Sequence, residues 1–159
     1  MKSIVIFYSF EGSTKLIADM IARETAAETL ELKPEKEIPK GGFKKFFWGG
    51  KSVIFKDKPK LLNTIPNLEQ YDIIFIGTPI WAGSFTPPIN TLISNISVKN
   101  KKIVLFACNS GGGADKCFEK LKNRFSDNTI LGTISFIDPI KDDKNKINTQ
   151  LKNWLSEIL

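Results

Sequence analysis

The stretch IVIFYSFEGST, residues 4–14, decides the fold. Ile4–Tyr8 is a continuous run of β-branched and aromatic residues, which is how a strand buried on both faces reads. Ser9-Phe10-Glu11-Gly12-Ser13-Thr14 follows, rich in hydroxyl and turn-forming residues. Beyond it, Leu16, Ile17, Met20 and Ile21 recur at helical spacing and predict a helix over 14–27. A buried strand that passes through a short loop into a helix is the first half of a βαβ unit.

The rest of the chain repeats this alternation. Thr29–Leu32, Ile73–Gly77, Ile103–Ala107 and Ile130–Ile137 read as further strands. Between and after them, three apolar stripes follow helical spacing: Ile89, Leu92, Ile93 and Ile96; Phe118, Leu121 and Phe125; Leu151, Trp154, Leu155 and Ile158. Pro87 and Pro88 suit a helix start, where the missing N–H has no partner to lose. Alternating strands and helices imply a parallel sheet covered on both faces, a three-layer doubly wound α/β architecture. IVIFY, IIFIG and IVLFA are nearly all apolar and belong inside the sheet; TLEL and ILGTISFI carry polar residues or glycine and belong at its edges. The expected strand order is therefore 2-1-3-4-5, in a single domain over 1–159. Residues 34–71 do not fit the alternation. Phe43, Phe46 and Phe47, bracketed by Gly41-Gly42 and Gly49-Gly50, predict a short crossover helix, followed by an irregular connection carrying Pro59 and Pro66.

Composition narrows the chemistry. The 159 residues are 42% hydrophobic and 25% charged, ordinary for a globular protein. No run approaches the roughly 20 apolar residues that span a bilayer. The opening MKSIVIFYSF reads as a strand rather than a signal peptide, because its apolar run stops at Tyr8 and Glu11 follows; a cytoplasmic protein is expected. Cys108 and Cys117 match no zinc spacing and are expected to be reduced, buried thiols. The chain has no histidine, which excludes Ser-His-Asp and Cys-His catalysis and His-ligated metals. Chemistry must come from a cofactor or from carboxylates, Lys, Tyr or Cys. The formal net charge is +6, with lysines read as scattered: KNKK at 99–102 and KDDKNK at 141–146 are short and form no basic stripe for nucleic acid.

In an order of 2-1-3-4-5, the winding reverses between strands 1 and 3, and a ligand is expected beyond the carboxyl ends there. Three loops lie at that rim. The first, Ser9 to Thr14, leads into a helix whose free amides and positive dipole end suit a phosphate; it also reads as a plain Ser/Thr helix cap. It contains no Lys or Arg, and it is neither a Walker loop nor a GxGxxG turn. The second, Thr78-Pro79-Ile80-Trp81-Ala82-Gly83 and onward to Pro88, carries an indole able to stack on a planar ligand, or else Trp81 and Phe85 pack in the core. The third, Cys108-Asn109-Ser110-Gly111-Gly112-Gly113, brings backbone N–H groups close to a ligand, or is a flexible turn.

Taken together, Ser9-x-x-Gly12-x-Thr14 after an apolar strand, GTPIWAGSFTPP and the glycine loop resemble the flavodoxin family over essentially the whole chain. The uninterrupted last strand is similar to short-chain members. The resemblance implies a flavodoxin-like fold and FMN as cofactor. It places the phosphate at Ser9, Phe10, Glu11, Gly12, Ser13 and Thr14. It places the isoalloxazine against Thr78, Pro79, Ile80, Trp81, Ala82 and Gly83, with a carbonyl of Ala82-Gly83 near N5. It places the pyrimidine edge against Cys108, Asn109, Ser110, Gly111, Gly112 and Gly113. Trp48 is read as packing beneath the crossover rather than as reaching the flavin. Two positions depart from the pattern: Glu11 stands where a hydroxyl residue is usual, so it is expected to point away from the phosphate, and Ser13 stands where Asn is usual. The positive net charge is a third departure. The implied function is low-potential electron transfer to protein partners through transient interfaces, by a monomer or weak dimer, without membrane or nucleic acid. The alternatives are an FMN-dependent NAD(P)H:quinone or flavin reductase, and a cofactor-free interaction module on the same fold.

Overall fold

The computed structural model describes residues 1–37 and 57–159. Five parallel strands form one sheet: β1 (Ser3–Phe7), β2 (Glu28–Glu31), β3 (Ile73–Pro79), β4 (Lys102–Asn109) and β5 (Thr129–Ile137), in the order β2-β1-β3-β4-β5. The α-helices among the described residues are α1 (Ser13–Thr25), α2 (Pro87–Asn95), α3 (Asp115–Arg124) and α4 (Lys144–Ile158). A 3₁₀ turn over Leu68–Gln70 precedes β3.

Alternation along the inner strands sorts the core into two layers. Ile4, Ile6 and Tyr8 of the β1 segment, Ile74 and Ile76 of β3, and Ile103, Leu105 and Ala107 of β4 pack with α2 and α3. Val5, Phe7, Ile73, Phe75, Val104, Phe106 and Cys108 face the other way, onto α1 and α4. Burial on both faces explains the unbroken apolar runs, and the half-buried β2 and β5 occupy the edges as expected. In β5 the register steps from Ile103↔Ile130 to Val104↔Gly132, so Leu131 is an inserted residue. Because side-chain direction has a period of two, that insertion turns Ile130 toward one layer and Leu131, Ile134 and Phe136 toward the other.

The boundaries differ from the sequence expectation for local reasons. Helix α1 stops at Thr25 because Ala26 takes a left-handed conformation (φ 53°), its N–H bonding Ala22 O. Strands β3 and β4 run past their apolar runs, since pairing continues through Thr78↔Ala107 and Pro79↔Cys108. The expected crossover helix with Phe43, Phe46 and Phe47, and Trp48, lie outside the described residues. The return of that connection is tied to α2 by Asn90 Nδ2 donating to Asp57 O and Thr91 Oγ1 donating to Pro59 O. It is irregular over 57–67, as expected, apart from a bridge between Pro34 and Leu61. Among the described residues, no helix is long and apolar enough to cross a membrane.

Candidate functional site

The three loops meet at the carboxyl ends of β1, β3 and β4 around a cleft of about 570 Å³. That is within the size range of small-molecule and cofactor sites. Ser9, Phe10, Glu11, Ser13 and Thr14 line it from the first loop, Pro79, Ile80, Trp81, Ala82 and Gly83 from the second, and Cys108, Asn109, Ser110, Gly111, Gly112 and Gly113 from the third. Two expected residues do not line it. Thr78 is fully buried behind the second loop, where its Oγ1 accepts from the Thr86 amide (3.1 Å) and lies 3.2 Å from Thr86 Oγ1; it shapes the loop from beneath. Gly12 shapes the first loop instead. It holds φ 98° at the N-cap of α1, a left-handed conformation that side chains resist.

The first loop leaves donors for an anion. The N-cap residue Gly12 has no side chain to cap α1, and Ser9 Oγ accepts from the Lys15 amide at 3.1 Å. The Thr14 hydroxyl is buried at the cleft wall beside the weakly polar Cys108 thiol and, among the described residues, has no partner in full hydrogen-bond geometry. An orphaned hydroxyl at a helix N-terminus is where a phosphate oxygen would be received. The nearby Cys108 thiol is pushed up to about 12, chiefly by burial, with the Thr14 hydroxyl pulling slightly the other way. Cys108 is therefore a small apolar wall residue and not a nucleophile at neutral pH. Glu11 is exposed although it borders the cleft.

The second loop is a tight turn. Trp81 and Ser84 exchange both backbone hydrogen bonds (2.9 and 3.0 Å), and Ala82 (φ 45°) and Gly83 (φ 70°) are both left-handed, as a type I′ turn requires. Trp81 is more enclosed than a free stacking platform. The residue is 5% exposed, and its ring packs edge-on against Tyr8 (6.1 Å, 88°) and Phe10 (5.6 Å, 89°). Phe10 is the more open of the two rings lining the cleft. Behind them, the Tyr8 hydroxyl donates to Glu37 Oε2 at 2.8 Å, and burial together with that carboxylate holds Tyr8 protonated far above its usual range.

In the third loop the Asn109 side chain accepts from the Gly111 amide (3.1 Å) and donates to Gly112 O (3.2 Å). The amide side chain thus folds the loop, while among the described residues no heavy atom beyond the chain neighbours stands within 4 Å of a β-carbon built on Gly111, Gly112 or Gly113. The backbone there is open to a ligand. The sequence reading missed a fourth contributor, Asp138, which follows β5 and lines the same cleft. Its amide donates to Asn109 O at 2.8 Å, joining the ends of β4 and β5. The available signal was the Asp138-Pro139 turn pair at the carboxyl end of a strand, the same rim as the other loops. Among the described residues, no cluster of acidic or thiol side chains could hold a metal ion. The donor set of free helix amides, an orphan hydroxyl, open glycine backbone and two aromatic rings fits a phosphate ester joined to a flat, partly apolar group.

This winding and this rim define a doubly wound α/β protein with a cofactor-sized cleft at its switch point. A family model described as Flavodoxin matches residues 2–158, and the chain belongs to the flavodoxin family. It is 30% identical over 138 residues to the flavodoxin-like domain-containing protein BilS of Clostridioides difficile (strain CD3), covering 84% of this chain. The match spans 64% of that protein's length, so this chain accounts for somewhat less than two thirds of that relative. Among solved structures, a flavoprotein from Bacteroides eggerthii superposes with a TM-score of 0.80 at 24% identity, covering 99% of this chain and 97% of that one. A flavoprotein from Lactobacillus acidophilus, solved in complex with FMN, superposes with a TM-score of 0.73 at 21% identity, covering 87% and 95% of the two chains. Membership of the flavodoxin family and the flavodoxin-like fold are thus established together.

Proposed function

We propose that the cleft binds FMN and that the protein carries electrons between redox partners. The observation that carries this reading is the Thr14 hydroxyl, buried at the N-terminus of α1 on the wall of a cleft of flavin size and, among the described residues, without a partner in full hydrogen-bond geometry. The FMN complex of the Lactobacillus acidophilus flavoprotein, which shares the fold, supports it. FMN supplies reversible one- and two-electron redox chemistry. The residues of this chain supply the setting. Ser9, Ser13, Thr14 and the α1 amides would receive the phosphate. Phe10 and Trp81 would bound the ring system and exclude water from it. The Ala82-Gly83 turn would present a backbone carbonyl to flavin N5, and the Gly111–Gly113 backbone would face the pyrimidine edge. No cation lines the cleft among the described residues, which disfavours a fully reduced, anionic flavin and supports a low potential.

The test is an absorbance spectrum of the purified protein followed by stepwise anaerobic reduction. Flavin bands, FMN released on denaturation and two resolved one-electron steps are the expected result. A colourless protein that ignores added FMN refutes the cofactor. Rapid NAD(P)H oxidation with a quinone acceptor, with no separation of the two steps, replaces the carrier by a reductase using the same cleft.

A further inference from the structure

The charged side chains that line the cleft among the described residues are Glu11 and Asp138, both acidic. A phosphate dianion at the N-terminus of α1 would meet that charge with only backbone dipoles and hydroxyls to oppose it. The turn after β5 changes this balance. Asp138 is fixed from two sides: its amide donates to Asn109 O, and its carbonyl accepts from the Lys141 amide, both at 2.8 Å. It holds φ 40°, a conformation that Asp tolerates better than most residues. Its Oδ2 accepts from Lys141 Nζ at 3.3 Å. The same turn lies against the phosphate loop, since Ile140 Cδ1 is 3.4 Å from a β-carbon built on Gly12. Two other lysines are paired elsewhere: Lys15 with Asp19 (3.3 Å) and Glu31 (3.9 Å), and Lys146 with Asp142 (3.0 Å).

We infer that Lys141, acting through Asp138, sets the selectivity of the cleft for the phosphorylated over the unphosphorylated flavin. Lys141 is a positioning residue: it pairs with the Asp138 carboxylate at the cleft wall and is kept there by it. Its side chain is 80% exposed, so replacing it removes charge and not packing. The inference rests on the FMN reading above. Its signature is electrostatic: it acts on FMN, whose phosphate is charged, and not on riboflavin, which lacks that group. It is also screened by salt, because an exposed charge within a Debye length of about 10 Å at 0.1 M is felt and then lost as ionic strength rises.

The experiment titrates the cofactor-stripped protein with FMN and with riboflavin, at low and high salt, for wild type, Lys141→Gln, Asp138→Asn and the double variant. Lys141→Gln is expected to lower the ratio of FMN to riboflavin affinity by about threefold to tenfold at low salt, the size of one charge acting over several ångströms in a high dielectric. Asp138→Asn is expected to raise the ratio. In the Asp138→Asn background, Lys141→Gln has a smaller effect, because the lysine is no longer held at the cleft. An unchanged ratio in Lys141→Gln, an equal loss for both flavins, or the same effect in both backgrounds overturns the inference. Wild-type protein that binds riboflavin and FMN equally also overturns it, whereas wild type that binds neither removes the cofactor reading itself.

Discussion

Thr14→Val separates the stability of the empty protein from its affinity for a phosphorylated ligand. Thr14 is 1% exposed and, among the described residues, its hydroxyl meets only the weakly polar Cys108 thiol and no group in full hydrogen-bond geometry, so the empty protein bears the cost of a largely desolvated polar group. That cost is about 1–3 kcal/mol. Valine has nearly the same shape and a similar helix propensity, so the change removes the hydroxyl without opening a cavity. The empty variant is therefore expected to be more stable, and for a chain of this length each kcal/mol raises Tm by roughly 2–4 °C. The opposite sign is expected for ligand binding. A hydrogen bond to a charged group contributes about 1.5–3 kcal/mol. Its loss weakens FMN binding by about 10- to 150-fold. Riboflavin affinity should move far less. Thermal melts of the empty protein and fluorescence titrations with both flavins measure the two effects. A less stable empty variant with unchanged FMN affinity refutes the assignment of Thr14 to the phosphate.

A β-carbon at Gly77 would fall inside the ring of Phe106, its strand partner, with Cε1 2.6 Å away and two more ring atoms closer. Gly77→Ala is expected to cost at least the 1–3 kcal/mol of ordinary overpacking. Pairing it with Phe106→Leu should cost less than the sum of the two single changes in urea denaturation; strict additivity refutes the contact. Alkaline pH should destabilise the fold. Burial raises both Cys108 and Cys117 to about 12, so the unfolded chain loses those protons first. Stability then falls from about pH 9 toward 12, by up to about 1.4 kcal/mol per pH unit for each thiol. Tyr71, raised to about 12 by its hydrogen bond to Glu28, adds to the same trend. Cys108→Ala should flatten the slope by one proton, and an unchanged slope would sink the argument. The positive charge is less scattered than the sequence reading had it, since residues 38–56 hold five lysines and no acidic residue, leaving the rest of the chain at +1. Under the carrier role proposed above, electron transfer to an acidic acceptor protein should therefore slow as salt rises, and changing those five lysines to Gln should remove most of that dependence; an unaltered salt slope would show that this charge plays no part in encounter.

Much of this protein is determined by local sequence. Apolar runs of strand length, buried or half-buried according to their texture, determined the strand order, because burial on both faces leaves no polar positions in IVIFY, IIFIG or IVLFA. That order in turn determined which loops share a rim, and the cleft lies there. The tertiary structure decided what depends on residues far apart in the chain. Thr14 is left beside the weakly polar Cys108 thiol because the described residues packed around it offer its hydroxyl no partner in full hydrogen-bond geometry. Trp81 is enclosed because Tyr8 and Phe10, from another strand and loop, meet its ring edge-on. Thr78, which sequence placed in the site, is withdrawn beneath it by Thr86. Asp138 borders the cleft at the end of β5, where its amide bonds to Asn109 at the end of β4. Periodicity records which way a side chain faces, and it carries no record of register between strands or of the groups that a distant segment brings within hydrogen-bond reach.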